Sequence, residues 1–344
     1  MSRLTIALDA MGGDIGPRVT IPASIKALQK DPMLSLLLFG DSYQIRPLLE
    51  QVPESIQSRL TLIHCSRVIE NNQGLSYALR HSKGTSMRLA IEAVQKGNAQ
   101  ACVSAGNTAA LMGLAKIILQ PVQGIERPAL ISTLPTVTGE RSVMLDLGAN
   151  IDCSAENLYQ FALMGAVFAE QNLELVYPRI ALLNIGIEEI KGNKAIREAA
   201  EMLKKHTALN YTGFIEGDLL LNGKADVIVS DGFIGNVALK TLEGSAKNMI
   251  SLFKRNSSAN TIIHNLKGLA SKAIMQLFLK DSYRQLKKIN PDQYNGASLI
   301  GLTAVVVKSH GGANIDGFAY AISDAALQAR KKIPEKILSG LEKY

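Results

Sequence analysis

The feature that most constrains the fold of this sequence is the alternation of short β-type segments with longer segments of helical periodicity. Several of the β-type segments are continuous apolar runs, as expected when both faces of a sheet are covered. We predict strands at 4–8, 35–39, 60–64, 101–104, 129–132, 143–147, 180–184, 213–216, 227–230 and 304–308. We predict helices at 20–29, 86–95, 108–119, 157–170 and 194–205. This order predicts a three-layer α/β/α fold with a mostly parallel sheet.

One segment breaks the alternation. Residues 240–290 are helical in pattern throughout, and within them 244–289 carry nine basic residues and one acid, Asp281. The whole chain has 37 basic and 30 acidic residues, so 28 basic and 29 acidic residues lie outside this segment. A surface that binds nucleic acid along its whole length is therefore not expected. We interpret 1–344 as one α/β catalytic unit with a basic amphipathic helical hairpin, 244–289, inserted in it.

Composition and cysteine content limit the class of protein. With 47% hydrophobic and 19% charged residues the chain can bury a large core, which excludes a disordered protein. Cys65, Cys102 and Cys153 form no disulfide framework and indicate a reducing compartment. No signal peptide and no membrane-spanning run is evident. We therefore expect a cytoplasmic protein.

Loops rich in glycine, asparagine and aspartate follow six of the predicted strands. They are 9–14 (DAMGGD), 104–108 (SAGNT), 146–150 (DLGAN), 184–193 (NIGIEEIKGN), 230–236 (SDGFIGN) and 309–314 (SHGGAN). Ligands of parallel α/β sheets bind beyond the carboxyl ends of strands, and glycine-rich loops before helices suit anions. We expect the first five loops to form an anion-binding cleft at one sheet edge. The alternative is that Asn107, Thr108, Asn236 and Asn314 are helix N-caps and the glycines are turn residues.

Lys191 is the most distinctive charged residue of these loops. It lies just before a predicted helix, where a cation is unfavourable unless an anion binds beside it. We therefore interpret Lys191 as a candidate anion ligand, with a solvated loop lysine as the alternative. His310 follows the last predicted strand, and we expect it to be structural or peripheral.

Several common catalytic motifs are absent from the sequence. It contains no G-x-G-x-x-G and no G-x-S-x-G, and the segment 217–225 departs from a P-loop in spacing and in its final residue, Ala225. The five histidines have no metal-ligand spacing. We predict no metal, no cofactor and no covalent Ser or Cys catalysis.

The loops match the motifs of a known family. DAMGGD, SAGNT, DLGAN, NIG-x-E-E-x-KGN, SDGF-x-GN-x-ALKTLEG and NGASLIGL resemble those of the bacterial phosphate acyltransferase family (PlsX), from about Leu4 to the final helices. The resemblance implies an acyltransferase that moves a fatty acyl group from acyl-acyl carrier protein to inorganic phosphate, forming acyl phosphate for phospholipid (phosphatidic acid) synthesis. It also implies a homodimer and a fold similar to isocitrate and isopropylmalate dehydrogenases and to phosphotransacetylase. Two residues depart from the family pattern, Ala109 in place of Gly and Ile234 in place of Thr.

The resemblance, together with charge, also implies which residues act. Phosphate is already an anionic nucleophile and a thioester an activated acyl donor, so the enzyme must chiefly position both and stabilise an oxyanion. We expect Lys191 to bind phosphate and Asn236 to donate a hydrogen bond at the reacting centre. The other candidates for binding substrate, phosphate or the phosphopantetheine arm lie in the glycine-rich loops: Asp9, Gly12, Gly13, Ser104, Gly106, Asn107, Thr108, Asp146, Gly148, Asn150, Asp231 and Gly232.

The basic hairpin has three possible roles. From Ile262 onward its apolar residues form one helical stripe, with lysines off it. The stripe can pack within the protein or its dimer, lie in the plane of an anionic membrane, or bind the acidic acyl carrier protein. The family is known for peripheral membrane association, which favours the inner face of the cell membrane and a downstream glycerol-phosphate acyltransferase as partners. The candidate contact residues are Ile262, Leu266, Lys267, Leu269, Lys272 and Leu277.

Two other functions compete with this interpretation. A small-acyl phosphotransacetylase using acyl-CoA has the same reaction type and fold, and a membrane-associated scaffold without activity would also use the hairpin. Dehydrogenase chemistry shares the fold, but the sequence lacks the clustered acidic residues that would hold a metal.

The charge of the hairpin predicts the outcome of a liposome flotation experiment. Each lysine near an anionic surface contributes about 1 kcal/mol to binding, so Lys267→Glu with Lys272→Glu should reduce flotation with anionic vesicles and leave neutral vesicles unaffected. Unchanged flotation together with weaker carrier-protein binding would instead assign these lysines to the carrier protein.

Overall fold

The computed structural model describes residues 3–257 and 296–343. Their eleven strands form one sheet. The strands are β1 (Leu4–Asp9), β2 (Leu34–Gly40), β3 (Leu60–His64), β4 (Ala101–Ser104), β5 (Ala129–Pro135), β6 (Arg141–Leu145), β7 (Arg179–Leu183), β8 (Asn210–Ile215), β9 (Val227–Val229), β10 (Ala297–Ile300) and β11 (Val305–Lys308).

Helices connect most of these strands. They are α1 (Pro17–Lys30), α2 (Ser42–Leu49), α3 (Glu54–Gln57), α4 (Leu75–His81), α5 (Ser86–Gln95), α6 (Thr108–Leu119), α7 (Ala155–Asn172), α8 (Lys194–Lys205), α9 (Gly232–Ser257), α10 (Ile315–Lys331) and α11 (Ile333–Lys343), with a 3₁₀ turn at Gly217–Leu219.

Helices cover both faces of the sheet, because successive side chains of a strand point to opposite faces. Ile6 and Leu8 of β1 pack in one apolar cluster with residues of α1 and α10. Ala7, between them, packs in another cluster with residues of α5 and α6. The prediction of a three-layer α/β/α fold is therefore confirmed.

The strand prediction is confirmed in ten cases, with ends that differ by a few residues. One strand, β10, was not predicted; it lies within the NGASLIGL motif and has four residues. A four-residue apolar strand between two glycines, Gly296 and Gly301, leaves no alternation to detect. Both glycines have positive φ, 142° and 87°.

Strand direction reverses at the centre of the sheet. The order is β3-β2-β1-β4-β11-β10-β5-β6-β9-β7-β8. From β3 to β11 all neighbours are parallel, and from β6 to β8 they are parallel again. Between these sets β10 is antiparallel to β11 and to β5, and β5 is antiparallel to β6. The two parallel sets therefore run in opposite directions.

This reversal makes one expectation wrong. The loops after β1, β4 and β11 lie at one edge of the sheet, which we call edge A. The loops after β6, β7 and β9 lie at the opposite edge, edge B. Five glycine-rich loops do not meet at one edge, since the sequence pattern of a strand does not show its direction.

The basic segment is described only in part. Its first residues continue α9 as far as Ser257, as predicted for a helix. The rest of the predicted hairpin and its candidate contacts, Ile262, Leu266, Lys267, Leu269, Lys272 and Leu277, lie outside the described residues. Among the helices that are described, none is long and apolar enough to cross a membrane.

Candidate active site

A cavity of about 900 Å³ lies on one face of the sheet at the point where strand direction reverses. Leu130, Ser132 and Leu134, which share one face of β5, form part of its wall, as does Ala297 of β10. Two helices form its sides. Met112 and Gly113 come from α6, and Leu239, Leu242, Ala246 and Met249 come from α9. A ligand site at a topological switch point is the usual arrangement in α/β sheets.

Residues from both sheet edges line this cavity. Lys308, Ser309 and His310 follow β11 at edge A, and Thr108 begins α6 at the same edge. From edge B come the 148–150 loop, which follows β6, and Asn236 of α9. The cavity thus brings together loops that the sheet holds apart.

Asn236 is the predicted catalytic residue that faces the cavity. It lies in the second turn of α9 and is exposed, and within the described residues its amide has no hydrogen-bond partner. Gly148 lies beside it, and a Cβ at Gly148 would be 3.5 Å from Cγ of Asn236. The φ of Gly148 is +127°, which a side chain would strain. The loop therefore leaves the Asn236 amide open to a ligand.

Asp146 organises the loop that carries Gly148. It is fully buried, and its Oδ1 accepts from the N–H groups of Leu130, Gly148 and Ala149 at 2.9, 3.2 and 2.9 Å. Its Oδ2 accepts from the backbone and side-chain nitrogens of Asn150 at 2.7 and 2.9 Å. Burial raises the pKa of Asp146, and these donors oppose the rise. The structure gives Asp146 a positioning role, because it lies behind the cavity wall.

The start of α9 packs closely on the same loop. Asp231 accepts from the N–H of Ile234 at 2.7 Å, and the N–H of Gly232 donates to the carbonyl oxygen of Asn150 at 2.8 Å. A Cβ at Gly232 would be 2.6 Å from that oxygen, and one at Gly235 would overlap the carbonyl oxygen of Asp146. These glycines let α9 approach β6 closely enough for Asn236 to reach the cavity.

The glycine-rich loops of edge A pack mainly against one another. Ser104 Oγ donates to Oδ2 of Asp9 at 2.7 Å, and the N–H of Gly106 donates to Oγ of Ser104 at 3.0 Å. A Cβ at Gly12 would be 2.7 Å from Oδ2 of Asp9. The space lined by Gly12 and Gly13 is about 10 Å³, which is room for one water and too little for phosphate.

Two of the suspected N-caps are N-caps, and two are not. Asn107 accepts from the N–H of Ala110 at 3.0 Å and caps α6, and Asn314 accepts from the N–H of Gly317 at 2.8 Å and caps α10. Thr108 is the first residue of α6 and lines the cavity. Asn236 lies inside α9, so the capping alternative does not explain it.

Lys191 lies at edge B and outside the cavity wall. It is exposed, in the loop between β7 and α8, and its carbonyl accepts from Nδ2 of Asn184 at 3.2 Å. A Cβ at Gly186 would be 3.1 Å from Cγ of Lys191, so its stem lies over that glycine. The structure therefore does not bring Lys191 and Asn236 together in one cavity wall. The role of Lys191 as a phosphate ligand stays a prediction.

Of the two residues that depart from the family pattern, one lines the cavity and the other does not. Ala109 lines the cavity beside Thr108, so its methyl group takes up space there that the glycine of the family pattern would leave open. Ile234 is partly exposed on the first turn of α9 and lies outside the wall.

The structure adds residues that the sequence analysis missed. From the sequence, the apolar residues of α6 and α9 are predicted only to be buried. Helical periodicity does not show whether a buried face packs on the core or lines a cavity. Lys308 is the more informative case: it ends the apolar strand β11 and is 9% exposed. A lysine at the end of a buried strand was the available signal. His310, expected to be peripheral, lines the cavity, and burial lowers its pKa.

The charged residues of the wall are mostly basic. Among the described residues they are Lys116, Lys240, Lys247 and Lys308, with Glu243 as the acid, which pairs with Lys240 at 2.9 Å. The cavity thus combines a mainly apolar lining with a positive charge, a combination that suits an apolar molecule with an anionic group.

The hydrogen bonds of Asp146 predict a specific loss in the variant Asp146→Asn. The amide cannot accept on its NH₂ side, so buried N–H groups lose their partner, and we expect the free energy of unfolding to fall by about 2–4 kcal/mol. Urea denaturation measures this change. Asp152→Asn, an exposed position in the same loop, should change it by less than about 0.5 kcal/mol. Equal effects of the two variants would contradict the positioning role.

Comparison with known proteins identifies close relatives. The family described as "Fatty acid synthesis protein" matches residues 4–336. The chain is 76% identical over 343 residues to a phosphate acyltransferase of Mannheimia succiniciproducens and 74% identical over 344 residues to one of Pasteurella multocida. Both alignments cover the full length of both proteins.

Solved structures show the same fold at low identity. A phosphotransacetylase from Streptococcus pyogenes has a TM-score of 0.63 at 20% identity, covering 95% of this chain and 94% of that one. The EutD phosphotransacetylase from Staphylococcus aureus has a TM-score of 0.60 at 17% identity, with the same coverage. The phosphotransacetylase-like fold is thereby confirmed. Because the family matches residues 4–336 and the two phosphate acyltransferases match over their full length, the chain belongs to the phosphate acyltransferase family of fatty acid and phospholipid synthesis and is an acyltransferase.

Proposed function

We propose that this acyltransferase moves a long-chain fatty acyl group from acyl-acyl carrier protein to inorganic phosphate, forming acyl phosphate for phosphatidic acid synthesis. The cavity between α6 and α9 is the observation that carries the proposal. Its volume of about 900 Å³ is near the upper end of the roughly 300–1,000 Å³ typical of small-molecule sites. Leucine and methionine side chains dominate its wall away from the loops, which suits a hydrocarbon chain.

The reaction needs no nucleophile from the protein. A phosphate oxygen attacks the thioester carbonyl, an oxyanion forms, and the carbon–sulfur bond then breaks to release the carrier-protein thiol. Asn236 would donate a hydrogen bond at this centre, since its amide faces the cavity without another partner among the described residues. Lys191 would bind phosphate and offset negative charge.

The thiols of the chain are poorly suited to covalent catalysis. Burial raises the pKa of Cys65 to about 11 and that of Cys153 to about 12, and it raises the pKa of Cys102 as well. A thiol needs a low pKa to be a nucleophile near neutral pH. This supports direct attack by phosphate.

A small-acyl phosphotransacetylase acting on acyl-CoA is the rival with the same fold. The solved relatives carry that name, but at 20% identity or less they bear on the fold alone. An acetyl group would leave most of the apolar wall uncovered, and unfilled apolar surface contributes nothing to binding. The size of the cavity therefore favours a long acyl chain.

The partners follow from charge and from exposed apolar surface. The basic 244–289 segment would attract acidic acyl carrier protein, an anionic membrane surface, or both, which supports a cytoplasmic enzyme held peripherally at the membrane near a glycerol-phosphate acyltransferase. Exposed apolar side chains cluster in the edge B loops and on the first turns of α9, and they support a homodimer. They are Ile151, Ile185, Ile187, Ile190, Phe233 and Val237.

The proposed roles of Lys191 and Asn236 predict a loss of turnover without a loss of folding. We expect Lys191→Ala and Asn236→Ala each to lower turnover by on the order of 100-fold or more, because each removes a donor that acts in the transition state. Circular dichroism checks the fold, and acyl phosphate formation measures the rate.

Matched controls sit on the surface nearby. Lys194→Ala, on the exposed face of α8, and Asn248→Ala, exposed on α9, should keep turnover within about 2-fold of the parent enzyme. Parent-like turnover in either test variant would remove that residue from the mechanism.

The cavity predicts a preference for long acyl donors that a single substitution should weaken. The parent enzyme should form acyl phosphate from a C16 donor much faster than from a C2 donor. Met112→Trp fills the wall between α6 and β5, so it should slow the C16 reaction by about 10-fold or more relative to the C2 reaction.

The control for this experiment is on the same helix. Ile117 of α6 is 60% exposed and lies outside the wall, so Ile117→Trp should leave the C16 to C2 ratio unchanged. Faster turnover of the C2 donor by the parent enzyme would favour the phosphotransacetylase, and no turnover with intact lipid binding would favour the scaffold.

A further inference from the structure

We propose that Lys308 binds a phosphate group of the substrates in the cavity. This inference deepens the proposed function, on which it rests for the identity of the ligand. Lys308 ends β11 at edge A, on the opposite side of the sheet from the edge B loops that carry Lys191. The proposal adds a phosphate ligand in the wall that Asn236 also lines.

The position of Lys308 is fixed by the fold. Its backbone pairs with Ser104 of β4 on one side and with Ala297 of β10 on the other, and the side chain is 9% exposed. The ammonium group donates to the carbonyl oxygen of Ala105 at 3.3 Å and to that of Ser309. Because a lysine ammonium has three N–H donors, one remains for a ligand in the cavity that Lys308 lines.

Lys308 forms no ion pair with a carboxylate of the described residues, although Asp14 and Asp9 act on it from farther away. Within the described residues no carboxylate oxygen lies within 4 Å of its Nζ, although eleven other lysine or arginine pairs with a carboxylate do meet that distance. Burying a cation without an anion is costly, and a protein avoids that cost with a ligand or by losing the proton. A cation held beside an open cavity is therefore an anion site.

The surroundings of Lys308 favour an anion that carries more than one oxygen. The first residues of α6, Thr108 and Ala109, line the same cavity, so the positive end of that helix dipole lies at the site. Ser309 and His310 add polar groups to the wall beside Lys308. Backbone, helix dipole and ammonium together are the usual environment of a bound phosphate.

Two substrates carry a phosphate into this cavity. One is inorganic phosphate, and the other is a donor whose phosphopantetheine arm ends in a phosphodiester. Both present oxygens of the same chemistry to Lys308. Kinetics with three ligands separates them: inorganic phosphate, an acyl-phosphopantetheine donor, and the acyl-pantetheine donor that lacks the phosphate.

The test uses Lys308→Met, which keeps an unbranched side chain of nearly the same length and removes the charge. If Lys308 holds the acceptor, the KM for inorganic phosphate should rise about 10- to 100-fold with either donor. If it holds the arm, the KM for acyl-phosphopantetheine should rise and that for acyl-pantetheine should not. Either result supports the proposal, whereas three unchanged KM values overturn it.

Controls separate binding from folding. Lys308→Arg keeps the charge and should restore most of the affinity that Lys308→Met loses. Lys96→Met removes an exposed lysine that pairs with Glu92 at 3.9 Å and should leave all three KM values unchanged. Equal losses in Lys308→Arg and Lys308→Met would mean that packing rather than charge matters, and would overturn the proposal.

The pH dependence of the KM in the wild-type enzyme is a second test. It does not require that the Lys308→Met variant folds. Burial and the charge of Lys240 on α9 lower the pKa of Lys308 to about 8, against the opposing effect of Asp14 and Asp9 from the β1 loop. Burial and the charge of Lys240 also lower the pKa of His310, which lies beside Lys308 in the wall. As pH rises through about 8 the free ammonium is lost, so the KM for the phosphate-bearing ligand should increase.

An arginine keeps its proton across this range, so Lys308→Arg should not show that increase. Identical pH profiles for the wild type and Lys308→Arg would overturn the proposal. These measurements depend on phosphate and not on acyl chain length, so they can fail while the C16 preference holds. Conversely, an enzyme that prefers a C2 donor would contradict the proposed long-chain substrate, but the KM measurements on Lys308 would still test phosphate binding.

Discussion

The reversal of strand direction at β10 and β5 is the constraint on which the rest of the structure depends. Because β10 is antiparallel to both its neighbours, two parallel sets with opposite directions share one sheet. Their loops point away from each other, and only the face of the central strands connects them. That face carries the cavity, with α6 from one set on one side and α9 from the other set on the opposite side. A long apolar site with polar groups from both edges follows directly.

Within this frame, buried carboxylates hold the loops and leave other groups to meet the ligand. Asp146 accepts N–H groups from four residues and so fixes the loop of Gly148 beside Asn236. Asp9 and Ser104 do the same among the loops of edge A. The polar residues that line the cavity are mainly amides, hydroxyls and lysines. This division explains why a site rich in aspartate motifs has a positive lining.

Much of the fold was predictable, because the spacing of apolar residues shows whether a helix or strand is buried on one face or on both. Ten strands and the three layers follow from it, and the motifs identify the family. The direction of the strands was not predictable, since β6 and β4 have the same apolar pattern and opposite directions. For the same reason the sequence could not separate Gly148, which borders the cavity, from Gly12, which packs on Asp9. Lys308 was not among the predicted site residues, because the sequence does not show whether a lysine at the end of a strand is buried or solvated.

The central claim is that one cavity, bounded by both halves of the sheet, holds the acyl chain and the phosphate together. A crystal structure with a non-hydrolysable C16 acyl phosphonate tests it most directly. The account predicts hydrocarbon density between α6 and α9, against Leu130 and Leu134, with the phosphonate beside Asn236 in the same cavity. A chain bound elsewhere on the protein, with the cavity empty, would contradict it.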